Sequence, residues 1–390
     1  MNWPLVKLKD CCTVVGGATP KRQVAEYWGD DVPWVTPKDI SNLEQPVLED
    51  APEYISKTGF KSCATSMLPK GSVLLTSRAP IGNVAIAGRD MCTNQGFKSL
   101  IPGKDVDTSF LYHCVKKYSP RLEALGNGAT FKEVSKKVVE EFKIPLPPLA
   151  EQKRIAAILN KADTIRRKRQ QAIQLADNFL RAVFLDMFGD PVTNPKGWEV
   201  KELKDIARIQ IGPFGTQLHK EDYIDGGIPL INPSHIIAGK CTPNESLTIT
   251  EEKHAQLLEY HLNVGDIIMG RRGEMGRCAI IREAEKGWLC GTGSLYIRVK
   301  ETGFFTEYLY SLLTSNAVKS FLESESLGAT MPNLNKTIVG KIKVPMPGAS
   351  IIEHFSAIKG KILASKHNQA IFSKEDLFSS LSQKAFAGNL

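Results

Sequence analysis

At 390 residues the chain has room for two domains, each with its own core. Its 42% hydrophobic and 24% charged residues describe a globular protein. No apolar run reaches the roughly 18 residues of a membrane span, and the opening MNWPLVKLKD is neither a signal nor a transit peptide, so a cytoplasmic protein without a membrane partner is expected. Eight cysteines without CxxC spacing and seven scattered histidines point away from a disulfide framework and a metal site, while the formal net charge of +8 admits an anionic partner.

Taken in order and laid against itself at a period of about 195 to 200 residues, the chain repeats. WPLVKLKD (3–10) answers WEVKELKDI (198–206), and EYWGDDVPWVTPKDI, ending at Ile40, answers EDYIDGGIPLINPSHI, ending at Ile236. KGSVLLTSRAPIGNVAI (70–86) answers VGDIIMGRRGEMGRCAI (264–280), GATFKEVSKKVV (128–139) answers GATMPNLNKTIV (328–339), and IPLP answers VPMP. Short apolar runs bounded by glycine or polar turns predict strands at 72–75, 84–86, 266–269 and 295–299, with short helices at 111–117 and 308–313. The repeated unit is a mixed α/β domain followed by a long helix. A kept frame with drifted loops implies two similar sites that read different things.

Residues 144–191 hold the first long helix, entered through Pro145, Pro147 and Pro148 and left through Gly189 and Pro191. Ile155, Ile158, Ala162, Ile165, Ala172, Ala176, Phe179 and Val183 form a coiled-coil seam broken only by Arg169. At about 1.5 Å per residue the rod measures roughly 57 Å. A second helix occupies 344–390, with a stripe through Ile351, Phe355, Ile358, Ile362, Phe372 and Leu377 or Phe378 and polar Ser365 and Gln369 in mid-seam. Antiparallel pairing of the two, with register set where the polar interruptions meet, is the expected arrangement.

Enzyme motifs are missing from the sequence. There is no GxxxxGK[ST] phosphate loop, no dinucleotide fingerprint, no GxSxG elbow and no HExxH helix, and neither Asn194-Pro195-Lys196 nor Asn232-Pro233-Ser234 makes the Asn-Pro-Pro-aromatic motif of an adenine methyltransferase. Glu251-Glu252-Lys253 and Glu141-Phe142-Lys143 carry the acid-x-lysine tail of a metal nuclease, a triplet common on helix surfaces. Binding fits better. Arg78 and Arg272 fall at equivalent places, four residues before Gly82 and Gly276, where a guanidinium can grip phosphate or take guanine bidentately. Around them the first copy offers Thr93, Asn94, Gln95, Lys98, Thr130 and Lys132, and the second offers Thr216, Gln217, Lys220, Arg271, Thr330, Asn333, Asn335 and Lys336 as candidate DNA contacts. A rod of about 57 Å exceeds one duplex turn of about 34 Å, so two half-sites with an unread gap follow.

GGATPKRQVAEYWGDDVPWVTPKDI, PFGTQLHKEDYIDGGIPLINPSHI and above all PLPPLAEQKRIAAIL followed by a long helix resemble the specificity subunit of type I restriction-modification systems. The likeness covers nearly the whole chain, although the second copy reads VPMPGASIIEHF and lacks the counterpart of Glu151-Gln152. It implies an α+β protein with two α/β target-recognition domains, 1–147 and 191–347, separated by two long antiparallel coiled-coil helices, 148–190 and 348–390, as a pseudo-two-fold repeat. It also implies a non-catalytic chain that binds double-stranded DNA, with two methyltransferase subunits and restriction/translocase subunits as partners. S-adenosylmethionine, ATP and magnesium then belong to those partners, and no cofactor belongs to this chain. Two other readings stand beside it: a free-standing nuclease acting through Glu251 and Lys253, and an assembly scaffold whose α/β domains bind protein.

Overall fold

The structure, a computed structural model, describes all residues but 1–2, 79, 129–131, 216, 274–275, 301–302, 326–332 and 372–374, together with the side chains of all but these and 367–377. It divides into two compact units, Met1–Ala172 with Gln369–Leu390, and Ile173–Asn368.

An unbroken run, VLLTS, makes Val73–Ser77 the centre of the first unit, and all five residues are buried, as a strand covered on both faces requires. Its sheet is ordered Cys12–Gly16, Lys98–Pro102, Val73–Ser77, Ile81–Ala87, Val47–Leu48, antiparallel except for the last pair. Side chains alternate between two cores, as the period of a strand dictates. Val73 and Leu75 pack with Phe110, Leu111 and Cys114 of helix Thr108–Glu123, whereas Leu74 packs with Ala85 and Phe97 on the other face. The second unit repeats this plan. Ile267–Gly270 is buried throughout in a sheet ordered Ala207–Ile211, Ser294–Val299, Ile267–Gly270, Cys278–Ile280. Ile267 and Met269 face Tyr308 and Leu309 of helix Phe304–Leu313, while Ile268 faces Ile231 and Tyr296.

The repeat extends to single hydrogen bonds. Leu5 pairs with Pro145 in the first unit and Val200 with Pro345 in the second. The Leu8 amide donates to the Phe142 carbonyl at 2.9 Å, and that of Leu203 to Ile342 at 2.9 Å. Even the tryptophans correspond: Trp3 Nε1 donates to the Ala385 carbonyl at 3.1 Å and Trp198 Nε1 to that of Phe188 at 3.0 Å.

The central helix, Leu149–Phe188, is 40 residues long. Its start is pinned by Gln152, 1% exposed, whose Oε1 accepts from the Asp107 amide at 2.9 Å and whose Nε2 donates to the carbonyls of Asp105 and Pro147 at 2.9 and 2.8 Å. In the second copy the corresponding residue is Ile352, which is 6% exposed and joins the apolar core with Phe184, Phe188 and Phe355. The sequence departure is therefore an exchange of a hydrogen-bonded pin for an apolar one.

Burial along the central helix departs from the expected seam. Ile155, Leu159 and Asp163 are buried in the first unit, and Phe184 and Phe188 in the second, a spacing of four that faces the wall of an α/β domain. Ile165 and Phe179 are 41% and 55% exposed. Antiparallel partners cover the helix in each unit. In the first, Arg154 donates to the Leu390 carbonyl at 3.0 Å and the Arg166 guanidinium lies 5.9 Å from the Phe378 ring. In the second, Phe188 meets Phe355 at 5.3 Å and Asp177 pairs with Lys366. Lys366 is thus a polar tie in that unit, and the side chains of Gln369, Phe372 and Leu377 lie outside the described residues.

Candidate nucleic-acid interface

Several loops meet at the end of strand Val73–Ser77. The Ser77 amide donates to the Gly96 carbonyl at 2.8 Å, and the Ser77 carbonyl accepts from the Val134 amide at 3.0 Å. Two further bonds of 3.0 Å, Ala18 amide to Thr93 carbonyl and Asn94 amide to Val35 carbonyl, bring in the segment after Gly17 and the turn beginning at Thr36. Glycine is required where these backbones touch: a Cβ on Gly17 would fall 2.1 Å from the Thr93 carbonyl oxygen, and one on Gly96 would fall 2.8 Å from Pro37 Cγ.

The second unit builds the same hub from other residues. The Arg271 amide donates to the Gly293 carbonyl at 2.9 Å, and the Arg271 carbonyl accepts from the Leu334 amide at 2.9 Å. The Gly291 amide donates to the Ile231 carbonyl at 3.0 Å, a Cβ on Gly212 would fall 2.0 Å from the Gly291 carbonyl oxygen, and Gly293 is pressed against Pro233. Each of these contacts has its counterpart in the first unit.

What the hubs display is different. In the first, Glu133 lies 3.5 Å from Lys98 Nζ and 4.0 Å from Arg78, and Lys98 also reaches Ser77 Oγ at 3.4 Å. Gln95, exposed, takes the Thr19 hydroxyl; Lys38, on the short helix Pro37–Ser41, and Lys132 are exposed as well. In the second, Arg272 and Lys220 are exposed. Arg271 is 6% exposed with Nε donating to the Leu334 carbonyl at 2.6 Å; burial, and then the charge of Arg272, lower its pKa from the usual arginine value. Gln217 accepts from the Tyr260 hydroxyl at 2.8 Å.

The expected contact residues therefore divide. Arg78, Gln95, Lys98, Lys132, Gln217, Lys220, Arg272 and Lys336 present polar groups at the surface or half-buried. Thr93, 1% exposed, and Arg271 are built into the frame rather than displayed on it. Asn94 accepts from the Gly96 amide at 2.8 Å, and Asn335 caps helix Lys336–Gly340 by accepting from the Ile338 amide at 2.8 Å, so both hold turns. Asn333 Oδ1 is buried and has no hydrogen-bond partner among the described residues. Thr130, Thr216 and Thr330 lie outside the described residues. Glu133 was not among the expected residues, although the repeat itself sets it opposite Asn333. As for the nuclease reading, Glu251 and Lys253 sit on the short helix Glu251–Gln256, where Lys253 pairs with Asp222 at 3.2 Å. No group of three or more potential metal ligands occurs among the described residues.

A main-chain frame that displays guanidinium, ammonium, amide and carboxylate groups suits phosphates and base edges. Fold and hubs together define a duplicated recognition protein, two modules of one design with different displayed side chains.

The chain belongs to the type I restriction modification DNA specificity domain family, whose model matches residues 1–175 and 195–374. It is similar to the specificity subunit of the type I restriction enzyme MjaIX of Methanocaldococcus jannaschii, 31% identical over 381 residues that cover 92% of this chain and 86% of that one. The MjaVIII specificity subunit of the same organism is 23% identical over 372 residues, covering 89% and 82%. Among solved structures, the type I restriction-modification S subunit from M. genitalium shares the fold with a TM-score of 0.60 at 15% identity, covering 99% of this chain and 96% of that one. A chain from a structural study of type I complex assembly and conformational transition gives 0.53 at 18% identity, covering 100% and 98%. The protein is accordingly a sequence-specific DNA-recognition subunit and not the catalytic component. No helix among the described residues is long and apolar enough to cross a membrane.

Proposed function

We propose that residues 1–147 and 191–347 each read one half of a bipartite, asymmetric duplex site, and that the helices at 148–190 and 348–390 space them and dock two methyltransferase subunits. Restriction/translocase subunits join that complex, S-adenosylmethionine, ATP and magnesium act on the partner subunits, and the assembly works on DNA in the cytoplasm. One observation carries the reading: three of the four main-chain bonds of the hub around Ser77 recur around Arg271, the fourth being ruled out by Pro213, which stands where the first unit has Ala18, while the side chains differ. Equal frames with unequal displays are what two different half-sites require.

The test is adenine-methylation sequencing of host DNA with and without this chain, the partner methyltransferase being present throughout. A split motif that depends on the chain supports the reading, and no chain-dependent motif refutes it. Arg272→Ala should weaken methylation through one half-site while leaving methyltransferase binding intact, and unchanged methylation removes Arg272 from the interface. Binding of the chain to duplex that is insensitive to salt would favour a protein scaffold instead.

A further inference from the structure

Resting on that reading, we propose that Glu133 and Asn333 occupy one equivalent base-reading position in the two domains, Glu133 with Arg78 reading a G·C pair and Asn333 reading adenine.

Position comes first. The residue after each is completely buried, Val134 and Leu334 both at 0% exposure, and each donates its amide at the end of the central strand, Val134 to Ser77, the last residue of Val73–Ser77, at 3.0 Å and Leu334 to Arg271, the residue after Ile267–Gly270, at 2.9 Å. Glu133 and Asn333 are thus delivered to the same spot of the same hub by the same main-chain anchor. Glu133 balances the charge of Lys98 and Arg78 without a tight bond to either. Asn333 caps no helix; that role belongs to Asn335.

Glu133 is 42% exposed at its side chain and meets Lys98 at 3.5 Å and Arg78 at 4.0 Å. Neither distance is that of a tight charge-assisted hydrogen bond, which lies near 2.7–2.9 Å, so carboxylate lone pairs remain open. An acceptor beside a guanidinium matches one base pair: guanine offers O6 and N7 to the arginine, and cytosine offers its N4 amine to the carboxylate from the same pair. Lys98, 14% exposed at its side chain, holds the other side of the ion pair at 3.5 Å.

Asn333 presents a different edge. Its Oδ1 is shielded from solvent without a partner among the described residues, an arrangement that native proteins seldom leave unanswered. Asn333 as a residue is only half-buried, and an amide turned outward about its side-chain torsions would meet adenine, the N6 amine donating to Oδ1 while Nδ2 donates to N7. An amide with both roles fits adenine, whereas a carboxylate with acceptors only does not.

The experiment uses the full chain with its methyltransferase, and maps methylated motifs for wild type, Glu133→Gln and Asn333→Asp. Glu133→Gln is expected to relax one G·C position of one half-site, lowering the preference there by roughly ten- to a hundredfold, with the other half-site unchanged. Asn333→Asp is expected to lose the preference for one adenine in the opposite half-site by a similar factor. Wild-type motifs with wild-type preferences from both variants would overturn the proposal. So would loss of methylation at every site with wild-type thermal unfolding, which marks a residue that supports the frame. If wild type itself yields no split motif, the functional reading falls and this inference with it; a split wild-type motif that neither variant alters sinks the inference alone.

Discussion

Replacing Gln152 tests whether the central helix is pinned by hydrogen bonds or only by packing. Three bonds are lost in Gln152→Met, which keeps the volume. Two involve part-buried groups, and a typical net contribution is about 1 kcal/mol each. The third leaves the Pro147 carbonyl without its buried donor, for about 1–3 kcal/mol more. The sum is about 3–5 kcal/mol. For a unit of this size each kcal/mol moves the midpoint by roughly 2–4 °C, so the first unit should unfold roughly 6–20 °C earlier in scanning calorimetry of the full chain. Gln152→Glu should cost at least as much, because a carboxylate keeps the Asp107 amide but turns an oxygen toward two carbonyls. The converse change, Ile352→Gln, places an amide in an apolar core and should destabilise the second unit. Wild-type unfolding of Gln152→Met would refute the pin, and leave shape alone to explain the glutamine.

Other outcomes follow from charges and caps. Lys359, 6% exposed, pairs with Glu307 at 2.8 Å and donates to Ser311 Oγ at 2.9 Å; Glu307→Gln, by stranding a buried ammonium, should cost about 3–5 kcal/mol in urea unfolding, and Lys359→Met markedly less. Burial alone would raise the Asp163 carboxyl, but bonds from Arg166 and Arg167 outweigh it and hold the pKa below the ordinary value. Its stabilisation is therefore complete above the unfolded value of about 3.9 and lost as pH falls through the lower folded value. The stability gap between wild type and Asp163→Asn, measured by urea unfolding across the acid range, should close toward low pH. Trp3→Phe and Trp198→Phe each remove one indole bond to the last turn of a helix, and each should cost about 1 kcal/mol, in different units.

Much of the architecture was legible in the residues because a duplication is visible without knowing what it folds into. The strand predicted at 72–75 extends to Ser77, and that predicted at 266–269 is Ile267–Gly270, since continuous apolar runs leave little choice for a central strand. The seam was less legible. Its three-and-four rhythm is shared by a coiled coil and by a helix lying against a domain, and Ile155, Leu159 and Phe184 belong to the second kind. Arg78 and Arg272 could be placed from the repeat, but whether an arginine is displayed or buried is decided by one residue of register: Arg272 is exposed, and its neighbour Arg271 turns inward to the Leu334 carbonyl. Glu133 escaped notice because an acidic residue is a poor emblem for binding a polyanion, although base edges offer amines as well as acceptors.

The hub is tied together by amides and carbonyls, at Ser77, Gly96 and Val134 in one unit and at Arg271, Gly293 and Leu334 in the other. Such ties belong to every amino acid but proline, so the alphabet at the displayed positions is free to change while the grammar holding them stays fixed. On the proposed reading, a lineage bearing this scaffold would acquire a new target word by exchanging a few displayed side chains, without having to discover a new fold. If each module reads its own half-site as proposed, the duplication doubles that freedom, since one half of the word can drift while the other is still being read.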